Sequence, residues 1–140
     1  MEAGSHDAGT VRVLVVEDDE NNRLVISRLL RLSGVSDDRI FSAGSDAFGF
    51  LSTGGAKVDL VLLDLQLPGK DGYAILDELR SDPATRDLVV VALTANVMRQ
   101  DVERCRAAGF DGFIGKPIDG RRFKDTFARI LAGEGVWTVF

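Results

Sequence analysis

Apolar residues recur along this chain in two alternating rhythms. Residues 11–16, 39–43, 59–63, 88–93 and 112–114 form short apolar runs. Three of these are continuous and rich in Val, Leu and Ile, the composition of strands buried on both faces of a parallel sheet. Between the runs, apolar positions return at intervals of three and four: Gly72, Ile75, Leu76 and Leu79, then Met98, Val102 and Cys105, then Phe123, Phe127, Ile130 and Leu131. That spacing lays one apolar stripe along each helix. Glycines follow the helical stretches at Gly34, Gly54-Gly55, Gly109 and Gly133, where a left-handed residue ends a helix at little cost. Strands alternating with helices predict right-handed crossovers and an α/β domain whose parallel sheet is covered on both faces. Residues 11–132 carry this pattern, leaving an N-terminal arm over 1–10 and a tail over 133–140.

Composition narrows the function. A chain of 140 residues builds one core and leaves no room for a second. Its hydrophobic content of 45% and charged content of 28% are those of an ordinary globular protein. A net charge of −5 with no basic face argues against nucleic-acid binding. No apolar run approaches the ~20 residues of a membrane span, so no membrane insertion is expected, and a cytoplasmic location is. The single cysteine, Cys105, excludes an internal disulfide and a thiolate zinc cluster, and its helical position reads as a small core or surface residue. The only histidine, His6, lies in the arm, which leaves histidine catalysis and His-ligated metals without a base. The arm is small, polar and unlike a signal peptide. Its Gly4-Ser5-His6 string reads as a cloning remnant, and the arm is expected to be flexible.

Polar residues gather at the ends of the strands. Glu17-Asp18-Asp19-Glu20 follows the first, Asp64 ends the third, Thr94 ends the fourth, and Lys116-Pro117 follows the fifth. In an open α/β sheet, ligands bind beyond the carboxyl ends of the strands where the strand order switches. Each residue also has a plain structural reading. The acidic run and Thr94 could cap helices, Asp64 could precede the Pro68-Gly69 turn, and Lys116 could be a solvated turn residue. Together they make chemical sense. Clustered carboxylates repel unless a cation sits among them, and Mg²⁺ takes oxygen ligands while keeping several waters. Such an ion, a lysine and a threonine hydroxyl are all suited to a phosphoryl group, and an aspartate can act as its nucleophile.

The motifs L-V-V-E-D-D at 14–19, D-L-Q-L-P-G-K-D-G at 64–72, L-T-A-N at 93–96 and G-F-I-G-K-P at 112–117 resemble those of receiver domains of bacterial response regulators, over about residues 11 to 131. The resemblance implies a single (βα)5 doubly wound, flavodoxin-like domain with strand order 2-1-3-4-5. It implies phosphorylation at Asp64 by a phosphohistidine donor, with Mg²⁺ held by Glu17, Asp18, Asp64 and the Gln66 carbonyl. Glu17 stands where many members have Asp. Thr94 and Lys116 correspond to the residues that contact the phosphoryl group, Ala95 to the small residue of the phosphoryl loop, and Pro117 to a proline after a cis peptide bond. Asp19 is read as a helix cap, and Gln66 and Asn96 as flanking the path of the attacking water. Phe113 matches the switch aromatic, expected to be partly exposed before phosphorylation and to rotate inward after it. The surface of the fourth helix, fifth strand and fifth helix would then control partner binding, or the phosphoryl group would be relayed onward.

Residues 94 to 118 are especially similar to receivers of hybrid sensor kinases and single-domain phosphorelay regulators. The implied partners are a sensor histidine kinase or histidine phosphotransfer protein, a downstream protein target, and a second copy through the same switching surface. No output domain follows, so either a stand-alone receiver or a piece of a hybrid kinase is expected. The implied role is a signalling receiver, not an enzyme beyond its own phosphotransfer and autodephosphorylation. Three other readings fit less well. A flavin site would need a phosphate-binding loop where this chain has four acids. An aspartate-nucleophile phosphohydrolase carries its nucleophile after the first strand. A non-phosphorylated module on this fold usually lacks the Asp, the acidic pair or the lysine. The apolar tail, with Trp137, is expected either to dock a partner or to pack on the domain.

Overall fold

The computed structural model describes residues 6–53, 57–95 and 97–137. Its main sheet has five parallel strands: β1 (Val13–Val16), β2 (Ile40–Ala43), β3 (Leu60–Asp64), β4 (Val89–Thr94) and β5 (Gly112–Gly115). Their spatial order is β2-β1-β3-β4-β5. The helices are α1 (Glu20–Leu32), α2 (Ala47–Ser52), α3 (Gly72–Ser81), α4 (Arg99–Ala108) and α5 (Gly120–Leu131).

Successive strand residues point to opposite faces, and the two cores follow that alternation. Val13, Val15, Leu60, Leu62, Val91, Leu93 and Ile114 pack with Ile26 and Leu30 of α1 and with Phe123, Phe127, Ile130 and Leu131 of α5. Leu14, Val16, Val61, Leu63, Val90, Ala92 and Phe113 pack with Ala47 of α2, with Ile75, Leu76 and Leu79 of α3, and with Val102 and Cys105 of α4. The continuous apolar runs are thus central strands with two buried faces. The strand order reverses between β1 and β3, so the cleft lies where Glu17 and Asp64 emerge.

Three helices begin as the acidic residues before them suggest. Asp19, Asp71 and Asp119 accept from the backbone N–H groups of Asn22, Ala74 and Arg121 at 3.0, 2.9 and 3.0 Å. Of the expected glycine stops, Gly34, Gly109 and Gly133 have φ of 105°, 109° and 87°, and Gly54-Gly55 lies outside the described residues. Met98 does not join the α4 stripe. It precedes the helix and is exposed, while its N–H donates to Asp101 Oδ2 at 3.2 Å. At the amino end of the sheet, Arg80 donates to the carbonyls of Arg86, Leu88 and Gly109 at 2.8, 2.6 and 2.9 Å and pairs with Asp111 at 3.0 Å. One side chain therefore ties α3 to the segments that enter β4 and β5.

The N-terminal arm corrects the expectation of flexibility, whereas the tail meets one of its two expectations, packing on the domain. Over residues 6–10 the arm is docked: His6 N–H donates to the Leu131 carbonyl at 2.6 Å, Val11 N–H donates to the Asp7 carbonyl at 2.8 Å, and Ala8 packs on the core. Residues 6–10 stay half-buried or exposed, so these backbone bonds and the Ala8 contact hold the arm. The tail packs too. Val136 is 3% exposed and forms a parallel bridge to Gly112. Residues 138–140 of the tail lie outside the described residues.

Candidate functional site

Register brings the polar strand ends together. Val16 pairs with Leu63, Asp64 with Leu93, and Thr94 with Gly115. Glu17, Asp64, Thr94 and Lys116 therefore emerge along one edge. Glu17, Asp64 and Thr94 are only 2%, 3% and 1% exposed, a degree of burial that charged residues reach only when paired.

Lys116 supplies the pairing. Its Nζ lies 2.8 Å from Glu17 Oε1 and 3.0 Å from Asp64 Oδ2. The second Glu17 oxygen accepts from Asp19 N–H at 3.2 Å, and Asp64 Oδ1 accepts from Gln66 N–H at 2.9 Å. Burial alone would lower the Lys116 pKa. Its hydrogen bonds to Glu17 and Asp64, and their charges, outweigh burial and raise it above the ordinary 10.5. The stabilisation from this pairing is accordingly complete below about pH 10.5 and is lost only as pH rises through the higher folded value.

Backbone geometry fixes these groups. Lys116 N–H donates to the Thr94 carbonyl at 2.8 Å, and the Lys116–Pro117 peptide bond is cis. After Asp64 the chain makes a two-residue ribbon, Gln66–Leu67 against Lys70–Asp71, and enters α3 at Gly72. A Cβ on Gly72 would lie 2.8 Å from Leu65 Cα and 2.9 Å from the Asp64 carbonyl. Only glycine lets α3 start this close beneath the carboxylate. Gly72→Ala is expected to destabilise the fold by about 1–3 kcal/mol and to disturb the backbone that carries Asp64. Denaturant unfolding compared with the wild type checks this.

Thr94 lines a cavity of about 150 Å³ with Leu65, Gln66, Asp71, Tyr73, Asp101 and Arg104. The wall of this cavity was not legible in the sequence. Tyr73 Oη lies 3.2 Å from Cys105 Sγ, the Arg104 guanidinium carbon stands 4.1 Å from the Tyr73 ring centroid, and Tyr73 meets Phe110 edge-on. Burial pushes the Cys105 thiol up. It pushes the Tyr73 hydroxyl up as well, helped by Cys105. Cys105 is fully buried, which settles its reading as a small core or surface residue in favour of the core.

Among the described residues, no three His, Cys, Asp or Glu side chains converge as a ready-made cation site. The Lys116 ammonium stands between Glu17 and Asp64, and Asp18 is exposed beside them. The chemistry nevertheless suits a hard divalent cation that keeps most of its waters. The acidic oxygens outnumber the ammonium, and neither sulfur nor imidazole is present.

The response regulator receiver domain family matches residues 13–128. This chain belongs to the response regulator receiver family. The receiver is 35% identical over 122 residues to the polar-differentiation response regulator DivK of Brucella ovis, covering 87% of this chain and 97% of DivK. It is 34% identical over 118 residues to the hybrid signal transduction histidine kinase L of Dictyostelium discoideum, covering 81% of this chain but only 7% of that kinase. A solved receiver domain of a sensor histidine kinase from Pseudomonas aeruginosa, with a magnesium ion coordinated in its active-site cleft, is 30% identical with a TM-score of 0.71. That match covers 86% of this chain and 97% of the other.

One expectation for the receiver changes. Phe113 is 1% exposed, buried among the α2, α3 and α4 contacts of the sheet, not partly exposed. Its N–H is also held by the tail, at 2.8 Å from the Val136 carbonyl. Ala95 is exposed just after β4, and Asn96 lies outside the described residues.

Proposed function

We propose that the receiver accepts a phosphoryl group on Asp64 from a phosphohistidine donor and passes the change to a protein partner. The observation that carries this reading is the Lys116 ammonium shared by two almost fully buried carboxylates, Glu17 and Asp64, at the switch point of the sheet. An Asp64 oxygen forms a bond to phosphorus while the donor's N–P bond breaks, and that electron pair leaves on the imidazole nitrogen. The product is an acyl phosphate. Lys116 moves to a phosphoryl oxygen, and the Thr94 hydroxyl donates to another. Glu17, Asp18, Asp64 and the Gln66 carbonyl would hold Mg²⁺, which supplies positive charge against the phosphoryl oxygens. Beyond this transfer, water can attack the phosphorus, the P–O bond to Asp64 breaks, and the carboxylate leaves with release of inorganic phosphate.

A kinase or phosphotransfer protein would dock over α1. Leu24 and Val25 there are 61% and 51% exposed. Val25 also lines a groove of about 180 Å³ with Asn22, Ile26, Lys116, Pro117 and Ile118, so an apolar helix seated there would meet the site. No described helix is long and apolar enough to cross a membrane, and we place the receiver in the cytoplasm. Because relatives include both a single-domain regulator and a much longer hybrid kinase, either setting is compatible with this role.

Acetyl phosphate tests the reading. Intact mass should rise by one phosphoryl group only with Mg²⁺, and hydroxylamine should remove it. A label that resists hydroxylamine, or forms equally in chelator, would overturn the acyl phosphate. Asp18→Ala is expected to weaken Mg²⁺ binding about tenfold or more, as measured by calorimetry. Unchanged affinity would remove Asp18 from the ligand set.

A further inference from the structure

After α5 the chain turns back onto the sheet. Gly133 takes a left-handed conformation (φ 87°), Glu134 N–H donates to the Arg129 carbonyl at 3.1 Å, and the Glu134 carboxylate pairs with Arg129 at 3.3 Å. The chain then meets the outer edge of β5. Val136 bridges Gly112 in parallel, and its carbonyl accepts from Phe113 N–H at 2.8 Å. The next two side chains part as on a strand. Val136 enters the core shared with α1 and α5, and Trp137 packs against the core shared with α3 and α4. Arg106 of α4 stands 5.2 Å from the Trp137 ring centroid. Residues 134–137 therefore span from α5 across β5 to α4.

We propose that this segment is a strap that covers the α4–β5–α5 face in the resting receiver and opens when Asp64 is phosphorylated. The inference rests on the phosphoacceptor reading given above. β5 is tied at both ends. At its carboxyl end, Lys116 binds Glu17 and Asp64 through its side chain and Thr94 through its N–H. At its amino end it holds the strap. On its inner side β5 pairs with β4 at four positions, whereas on its outer side the strap contributes one bridge among the described residues. A shift of β5 driven by Lys116 or Thr94 is thus relieved first at the strap, the weaker attachment. While shut, the strap occupies an edge that an incoming chain would need. Two glycines permit its close seat. A Cβ on Gly112 would stand 3.3 Å from the Val136 carbonyl oxygen, and one on Gly135 would stand 2.7 Å from Trp137 Nε1.

The test uses the full chain with beryllofluoride and Mg²⁺ as the phosphoryl mimic. Trp137, the only tryptophan, reports through its fluorescence, and the Phe113 amide reports through hydrogen exchange. Ligand should shift the Asp64–Gln66 amide signals, speed Phe113 exchange about tenfold or more, and red-shift Trp137. Gly135→Ala, whose Cβ displaces the indole, should open the strap without ligand. By reciprocity it should also bind beryllofluoride more tightly, on the order of fivefold. Arg106→Ala should act in the same direction without altering the tail backbone. Shifts at Asp64 with unchanged Phe113 exchange and Trp137 emission would overturn the strap and leave the phosphoacceptor standing. Faster Phe113 exchange in both variants with unchanged ligand affinity would reduce the strap to a passive edge cover, which also overturns the proposal. No shift at Asp64 would overturn the phosphoacceptor reading and the strap's coupling with it.

Discussion

Asp64→Asn is expected to abolish the Mg²⁺-dependent gain of a phosphoryl group from acetyl phosphate while leaving the fold intact. The amide has nearly the shape of the carboxylate but lacks the anionic oxygen that forms the acyl phosphate. The surrounding contacts explain why the fold tolerates it. Asp64 Oδ1 accepts from Gln66 N–H, and Oδ2 meets Lys116; an amide oxygen can keep one of these acceptor roles. Glu17 still pairs with Lys116 at 2.8 Å, so no ammonium is stranded, and the repulsion between the two carboxylates disappears. Intact mass and thermal unfolding check both halves. A full phosphoryl gain in this variant would assign the chemistry to another residue. A large loss of stability would show that the carboxylate is needed structurally.

Lys116→Ala should have the opposite profile, with a large effect on stability that Mg²⁺ partly reverses. The ammonium pairs with Glu17 and Asp64, whose side chains are 2% and 5% exposed. Removing it leaves two buried carboxylates facing each other, and breaking a buried pair from one side costs about 3–5 kcal/mol. For a chain of this size that is a fall in Tm of roughly 10–17 °C. Mg²⁺ can supply the missing positive charge, so the variant should bind it more tightly than wild type and recover part of the Tm. Phosphorylation should persist in part, while its effect on Phe113 and the strap is weakened, because the Lys116 side-chain link from Asp64 to β5 is gone and only the Thr94 route remains. Thermal unfolding in chelator and in Mg²⁺ checks this. An unchanged Tm in chelator would mean that water already compensates these carboxylates.

The sequence makes some of these features legible and hides others for physical reasons. Strand ends were readable because Asp64 and Thr94 each interrupt a continuous apolar run, and the register then forces them together. Helix stripes at Ile75, Leu76 and Leu79 and at Phe123, Phe127, Ile130 and Leu131 were readable because burial on one face imposes the period. The motif resemblance led to the family. What stayed hidden depends on side-chain paths and backbone partners. Lys116 reaching Glu17 across the sheet is a side-chain conformation. The Arg80 bonds go mostly to carbonyls, which every residue has. The need for glycine at 72 follows from the closeness of α3 to Leu65. Val136 could not be placed, since a single bridge leaves no periodic signature, and the expectation of a partly exposed Phe113 ignored the contacts that bury it.

The central claim is that Asp64 itself becomes the acyl phosphate, and the most direct measurement locates the modified residue. Borohydride reduces an aspartyl phosphate to homoserine, a change that tandem mass spectrometry assigns to one position after proteolysis. With acetyl phosphate and Mg²⁺, homoserine should appear at position 64 and nowhere else, and should vanish in chelator. Homoserine at position 18 or 19, or none at position 64 under conditions in which the intact mass has risen, would contradict the account.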